Sequence, residues 1–335
     1  MTTTVTLIPG DGITRELAES VIAILDAAGA DIVFEEQPAG ADCYASCGSG
    51  IPDATIDSIR KNKIALKGKL LAPPSPEYPN PNSELRQKLD LFAAVRPIRN
   101  LRGISARHKD VDIVLIREIS EDIYAGLEHK VREDIVTTIK VVTEQGCSRI
   151  SRFAFEYAQR RNRKRVSLIH KANIMKITDG LFIRSCEKVY DDFKDIEFWK
   201  YIVDNACMQL LLRPHQFDVM LMGNLYGDIM SDLGAGIVGG ISASMGAMVG
   251  GVGDDQIVIF EALHGDAPDL VGKNSANPLP FILPAIYMLE HLEQDETAKR
   301  IQAAVETAIQ DGIVTADLGG TSSTSEVTKA IIARL

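Results

Sequence analysis

Apolar and polar positions along the chain change period repeatedly. VTLIPGDGI (5–13) reads as a short apolar strand that ends in a Pro-Gly-Asp-Gly turn. TRELAESVIAILDAAG (14–29) then carries apolar residues at helical spacing and stops at Gly29. DIVFEEQPA (31–39) predicts a second strand, and residues 54–70 predict a helix followed by the strand IALKG. LFAAVRPI, VDIVLIRE, VSLIHKAN and FDVMLMGN (217–224) are further apolar runs, separated by helical stretches such as SRISRFAFEYAQRR. Alternating strands and helices predict an α/β protein with a largely parallel sheet. One stretch breaks the pattern: LAPPSPEYPNPNSE (71–84) holds five of the 14 prolines, so an irregular, stiff segment is expected there. Fourteen such residues in a compact domain usually serve function.

Composition narrows the class. The 335 residues suffice for two domains, and 45% hydrophobic with 24% charged residues is ordinary for a globular protein. A net charge of -10 argues against a nucleic-acid surface, and the basic run RRNRKR (160–165) is expected to be a solvated helix end. Cys43, Cys47, Cys147, Cys186 and Cys207 are scattered and odd in number, as expected of reduced thiols in a cytoplasmic protein. Cys43 and Cys47 lie four apart without a histidine or second pair, which argues against zinc. The N-terminus lacks the pattern of a secretory signal, and no stretch reaches the ~18 apolar residues of a membrane span.

Candidate chemistry concentrates at strand ends. After FDVMLMGN, the run GNLYGDIMSD places Asp228 and Asp232 one helical turn apart on one face. Two adjacent carboxylates suit a hard divalent ion, Mg²⁺ or Mn²⁺; the bland alternative is a first-turn acid and a solvated charge. Arg86, Arg96 and Arg117 stand near strand ends, and guanidinium groups bind carboxylates bidentately, so a di- or tricarboxylate is the natural partner. Tyr124 follows in SEDIYAGLEH. Lys171 closes a buried strand, where an unpaired lysine is unfavourable; desolvation or a neighbouring cation would suit it to proton transfer, and Asn173 could orient it. Residues 234–239, GAGIVG, match G-x-G-x-x-G, but the residues before them are helical in pattern. No dinucleotide turn is expected there.

Taken together, IPGDGI (8–13), GIPDATIDSI (50–59), ALKG (65–68), LRQKLDLFAAVRP (85–97), HKANIMKITDGLF (170–182), NLYGDIMSD (224–232), FEALHGDAPDLVGK (260–273) and ANP (276–278) resemble the metal-dependent β-decarboxylating dehydrogenases of isocitrate, isopropylmalate and homoisocitrate. The resemblance runs end to end. It implies an isopropylmalate dehydrogenase-like two-domain fold: a large cofactor-binding domain from residues 1–96 and 239–335 with a mostly parallel sheet, and a smaller dimer-forming domain from 97–238. It implies that Arg86, Arg96 and Arg117 hold the malate-type carboxylates, that Tyr124 protonates the enol after decarboxylation, and that Lys171 assists removal of the hydroxyl proton. Asp228 and Asp232 match metal ligands and Asp204 matches the third. In the family Lys171 and Asp204 come from the partner subunit, so a homodimer with a shared active site is expected.

The resemblance also implies that HGDAPDLVG, with His264, Gly265, Ala267, Asp269 and Leu270, cradles the adenosine, and that Asn277 meets the adenine. NADP-using relatives carry lysine and tyrosine at the positions of Asp269 and Leu270. A carboxylate accepts hydrogen bonds from a ribose 2′-hydroxyl and repels a 2′-phosphate, so NAD is expected. The segment before Arg86 distinguishes substrates. Pro79 and Ser83 depart from the isopropylmalate and homoisocitrate patterns; Asn82 matches the isocitrate pattern, and Asn80 replaces its serine. Ile119 stands where the family usually has asparagine, and Ala72 where a threonine is common. Isocitrate is the expected substrate. The same chemistry on homoisocitrate, isopropylmalate or a phosphonate-bearing malate is the alternative, and so is a regulatory subunit.

Overall fold

The computed structural model describes residues 2–72 and 80–335. In chain order the strands are β1 (Thr3–Ile8), β2 (Ile32–Glu36), β3 (Ile64–Lys67), β4 (Leu91–Arg99), β5 (Asp112–Glu118), β6 (Glu128–Arg132), β7 (Ile135–Thr138), β8 (Arg165–His170), β9 (Glu197–Ile202), β10 (Val219–Met222), β11 (Gly246–Gly250) and β12 (Ile257–Glu261). The α-helices are α1 (Thr14–Ala27), α2 (Ala41–Cys47), α3 (Asp53–Asn62), α4 (Pro81–Lys88), α5 (Glu144–Arg160), α6 (Thr178–Tyr190), α7 (Val203–Leu212), α8 (Asn224–Val238), α9 (Leu279–His291), α10 (Asp295–Gln310) and α11 (Thr324–Ile332). They form an α/β protein of two compact units, one of residues 1–89, 100–107 and 238–335, the other of 90–99 and 108–237.

In the first unit the strands run in the order β2-β1-β3-β12-β11. All neighbours are parallel except β11, which is antiparallel to β12. Helix α9 is apolar all round and buried from Leu279 to Leu289, as a helix packed between β12 and α10 must be. Helices α1 and α11 pack together beside it. The Pro-Gly-Asp-Gly turn after β1 is fixed by Asp11, whose buried carboxylate accepts from Ala41 N (3.0 Å), Asp42 N (3.1 Å) and Leu71 N (2.7 Å).

In the second unit β4 pairs antiparallel with β5, and β5, β10, β8 and β9 follow in parallel. Strands β6 and β7 form a separate antiparallel ribbon, exposed along its whole length. Helix α5 covers the sheet with Phe153, Phe155 and Ile150 buried. Helix α8 comes close to β4: a Cβ on Gly234 would lie 2.3 Å from Cδ1 of Ile98. That contact accounts for a glycine in the GAGIVG match, which lies within α8 up to Val238 and is no dinucleotide turn.

Three expectations need correction. The domain boundary does not fall at residue 96, because β4 pairs residue for residue with β5 from Ala93↔Glu118 to Arg99↔Asp112 and so belongs with the second unit. The proline-rich segment is not irregular throughout: Pro81 opens α4 at a position where its missing N–H has no helical partner to lose. The basic run is more than a solvated helix end. Arg163 is largely buried and pairs with Asp112 (2.7 Å) and Asp218 (3.0 Å), and Arg165 pairs with Glu197 (2.7 Å).

Candidate active site

Arg117 is the second-last residue of β5 and its side chain is buried. It crosses α8 at Gly227, where a Cβ would lie 2.4 Å from Cγ of Arg117. The guanidinium donates through Nε (3.0 Å) and Nη2 (2.6 Å) to Oδ1 of Asn224, and through Nη1 to Oδ1 of Asp228. The other oxygen of Asp228 accepts from the Tyr124 hydroxyl at 2.5 Å. Tyr124 is half-exposed, and the Arg117 guanidinium lies 5.1 Å from its ring centroid. Burial raises the pKa of the phenol above its ordinary value, and so does its hydrogen bond to Asp228; Arg117 opposes both. Tyr124 therefore keeps its proton through neutral pH and is poised as a donor.

Two side chains passed over in the sequence build this cluster. Asn224, fully buried, also donates from Nδ2 to the carbonyl of Glu121 (3.0 Å). Asp122, buried, accepts from Ile123 N (2.8 Å) and Leu225 N (3.1 Å), which ties the turn carrying Tyr124 to the first turn of α8. Asp228 and Asp232 are exposed one turn apart on α8, as expected.

A second cluster forms where β8 ends. Lys171 Nζ donates to Asp204 Oδ1 at 2.5 Å, and that bond holds the Asp204 carboxyl below its ordinary pKa. The neighbour of Lys171 is therefore an anion, not the cation considered from sequence. Asn173 is exposed. The backbone N of Lys171 is held by the buried Asp179 (2.6 Å), which pairs with Lys140 (2.7 Å). Among the described residues no three acidic, histidine or cysteine side chains gather where one ion could bind them all. Within one chain, the three expected metal acids are thus not assembled.

The other expected substrate residues stand on β4, on α4 and at its cap. Arg96 is buried on β4 opposite Leu115, and Arg86 is half-buried on α4 in the first unit. Asn80 caps α4 by accepting from Asn82 N (2.9 Å). Asn82 accepts from Lys67 Nζ (3.2 Å) and donates to the carbonyl of Leu70 (3.3 Å). Lys67, unremarked inside IALKG, is buried and paired with the equally buried Glu261 at 3.4 Å. Ile119 is buried and offers no polar group. The reading of Pro79 lies outside the described residues.

The expected cofactor loop follows β12. His264 is buried; burial depresses its pKa and leaves the imidazole neutral. Its Nδ1 lies 2.7 Å from the carbonyl of Gly265, while its buried Nε2 has no hydrogen-bond partner among the described residues. A buried polar atom without a partner is unfavourable, and it fits a ligand group that would complete it. Gly265 and Ala267, the latter at φ +40°, lead into a single exposed 3₁₀ turn, Pro268–Leu270, which carries Asp269 and Leu270. Asn277 is already committed: Oδ1 accepts from Leu279 N (3.0 Å) and Nδ2 donates to Asp317 (2.9 Å), so one amide hydrogen is left for a ligand.

Known proteins place these residues in context. The family model for isocitrate/isopropylmalate dehydrogenase matches residues 4–331. The chain is 44% identical over 329 residues to the NAD isocitrate dehydrogenase catalytic subunit 5 (mitochondrial) of Arabidopsis thaliana, covering 98% of this chain and 87% of that one. It is 43% identical over 337 residues to the alpha subunit of the mitochondrial NAD isocitrate dehydrogenase of Homo sapiens, covering 99% and 90%. The crystal structure of isocitrate dehydrogenase from Methylococcus capsulatus superimposes with a TM-score of 0.91 at 42% identity, covering 99% of each chain. The chain belongs to the isocitrate/isopropylmalate dehydrogenase family, and it resembles NAD-dependent isocitrate dehydrogenases along nearly its whole length.

Proposed function

We propose that this chain is an NAD-dependent decarboxylating dehydrogenase that converts isocitrate to 2-oxoglutarate as a homodimer. The observation that carries the reading is the cluster of Arg117, Tyr124 and Asp228: a buried cation, a phenol that keeps its proton, and a carboxylate, all within hydrogen-bonding reach. Arg117 is suited to hold a substrate carboxylate. Tyr124 is suited to deliver a proton to carbon once CO₂ has left. Lys171 is suited to assist removal of the hydroxyl proton.

The donor set fits a hard divalent ion. Asp228 and Asp232 present carboxylate oxygens from adjacent turns, and Asp204 from a partner subunit would supply the third ligand. The buried Nε2 of His264 supports a dinucleotide on the loop after β12, with Asp269 favouring NAD. Bound there, Mg²⁺ or Mn²⁺ would supply Lewis-acid chemistry and NAD would accept the hydride.

The second unit also supports a dimer. A two-stranded ribbon is marginal in water by itself. Here β6–β7 is exposed on both sides and displays Val131, Ile135 and Val136, while α7 displays Leu212 and α8 displays Ile229. Apolar exposure on this scale marks a surface that another chain covers.

The test is NADH formation by the purified chain with Mg²⁺ or Mn²⁺ across isocitrate, homoisocitrate, isopropylmalate and a phosphonate-bearing malate. Isocitrate should give the highest kcat/KM. Because buried Ile119 removes a polar contact, a larger kcat/KM for another malate would move the assignment to that substrate. No turnover on any of them would leave the regulatory-subunit reading.

A further inference from the structure

The five cysteines take no part in the chemistry above, and two of them meet. Cys43 and Cys47 lie one turn apart on α2, with their sulfurs 3.4 Å apart. We propose that Cys43 and Cys47 form a reversible redox-modification site, which closes to an intramolecular disulfide by exchange with a low-molecular-weight disulfide such as that of glutathione.

The Cα spacing allows the bond, and closing it must also draw the Cβ atoms in from about 5–6 Å at helical spacing to ~3.5–4.5 Å. Residues four apart in a helix have Cα atoms about 6.2 Å apart, within the ~4.4–6.8 Å that a disulfide spans. The sulfurs need to approach by roughly 1.4 Å to reach bonding distance. Helix α2 can absorb that shift, because it is only seven residues long and is bounded by Gly40 (φ +99°) and Gly48 (φ +76°). Its N-terminal end stays anchored on the Asp11 carboxylate.

The two thiols also divide the labour of exchange. Cys47 is exposed and open to an incoming disulfide. Cys43 is buried beside it, its pKa pushed up to about 11 by burial and by the neighbouring Cys47. It thus resists direct attack but stands next to any adduct formed on Cys47. Cys43 also lines an open cavity of about 380 Å³ with Pro9, Gly10, Arg15, Gln37 and Asp42, which leaves room for the attached group. The other cysteines are worse placed. Burial pushes the Cys147 and Cys186 thiols up to about 12, and Cys207 is half-buried with its pKa also raised by burial.

In the first step the Cys47 thiolate attacks one sulfur of glutathione disulfide. A Cys47–glutathione bond forms, the glutathione S–S bond breaks, and glutathione thiolate leaves. In the second step the Cys43 thiolate attacks Cys47 sulfur and expels the second glutathione. The two protein thiol protons end on the two glutathione molecules. Two thiols are oxidised, one small disulfide is reduced, and excess dithiol reverses the exchange.

The experiment treats the reduced full-length chain with glutathione disulfide, alkylates the remaining thiols and weighs the tryptic peptide of residues 16–60. The wild-type peptide should be lighter by two hydrogens, and alkylatable thiols should fall from five to three. Dithiothreitol should restore both. Cys43→Ser should instead trap one glutathione on Cys47, and Cys47→Ser should leave Cys43 unmodified. Circular dichroism of each variant checks its fold, and the wild-type measurement stands without them. A stable glutathione adduct on wild-type Cys47 beside a free Cys43 would overturn the proposal. So would five remaining thiols, or a bridge to any other cysteine.

Discussion

Asn224→Ala tests whether the candidate site depends on an unnoticed amide. The substitution removes the acceptor shared by Arg117 Nε and Nη2, along with the Nδ2 bond to the Glu121 carbonyl. The two guanidinium bonds share one oxygen and count as one charge-assisted bond, worth about 1.5–3 kcal/mol, and the neutral bond adds about 0.5–1.5 kcal/mol. Asn224 and Asp122 border a small cavity from which a water could replace part of the loss. The expected destabilisation is therefore nearer the lower sum, about 2 kcal/mol, read as a lower urea midpoint at unchanged slope. Arg117 then keeps its Nη1 contact with Asp228 and its place over the Tyr124 ring. If the freed guanidinium loses roughly 1.4–2.8 kcal/mol of its hold on a substrate carboxylate, KM rises about 10- to 100-fold while kcat changes less. Asn224→Asp retains an acceptor for Arg117 and should raise KM less than alanine does. A wild-type urea midpoint for Asn224→Ala would refute the energetic argument. A lower midpoint with unchanged KM would refute the positioning argument and leave Asn224 as framework only.

Asp317 gives a pH-dependent prediction. Burial raises its pKa, but hydrogen bonds from Thr315, Asn277 and Ser242 outweigh that and hold the carboxyl below its ordinary 3.8. Because the folded pKa is depressed, the stabilisation is complete above about pH 4 and is lost as pH falls through the folded value. Asp317→Asn should lower the thermal midpoint at pH 7 by the equivalent of no more than about 1 kcal/mol, given its half-exposed position, and the difference should fade below pH 4. A difference that grows on acidification would contradict the sign. Asp269→Lys with Leu270→Tyr should move preference from NAD toward NADP, measured as the ratio of kcat/KM; a parent that already prefers NADP defeats the reading of Asp269. Mixing inactive Lys171→Ala and Tyr124→Phe chains should restore activity, since a mixed dimer holds one intact site. Confirmed heterodimers as inactive as either parent would show that the site is not shared.

The α/β alternation was legible because each element carries its own periodicity, and most of the metal and proton-transfer candidates because they stand at strand ends. Asp228 and Asp232 could be placed on one helical face from spacing alone, and α8 confirms it. Their hydrogen-bond partners could not be read this way. Asn224 and Arg117 are 107 residues apart, and Asp122 and Leu225 are 103 apart. Such pairings arise from parallel neighbours β5 and β10, and a local pattern says nothing about which strands adjoin. The same holds for Asp179, whose role behind Lys171 depends on Lys140 reaching it from 39 residues away. Asn80 and Asn277 have a further, local use that was not assigned from sequence: as asparagines beside helix starts they accept from the backbone of Asn82 and Leu279. The ribbon β6–β7 was missed because its strands are only five and four residues long and exposed throughout, so no buried apolar run marks them.

The two acidic clusters explain one another. In the single chain Asp228 is neutralised by Arg117 and Tyr124, and Asp204 by Lys171, so neither carboxylate is an open ligand. A cation alone would have to compete with an arginine that is buried and cannot follow the solvent. Under the proposed function a substrate carboxylate would change that balance, because it would take over Arg117 Nη1 and release Asp228 as an anion. Anion and cation should therefore bind with positive coupling, each tightening the other by the same factor. Asn224 sets the limit of this exchange: by holding Arg117 through Nε and Nη2, it keeps the guanidinium in place while the third nitrogen changes partner.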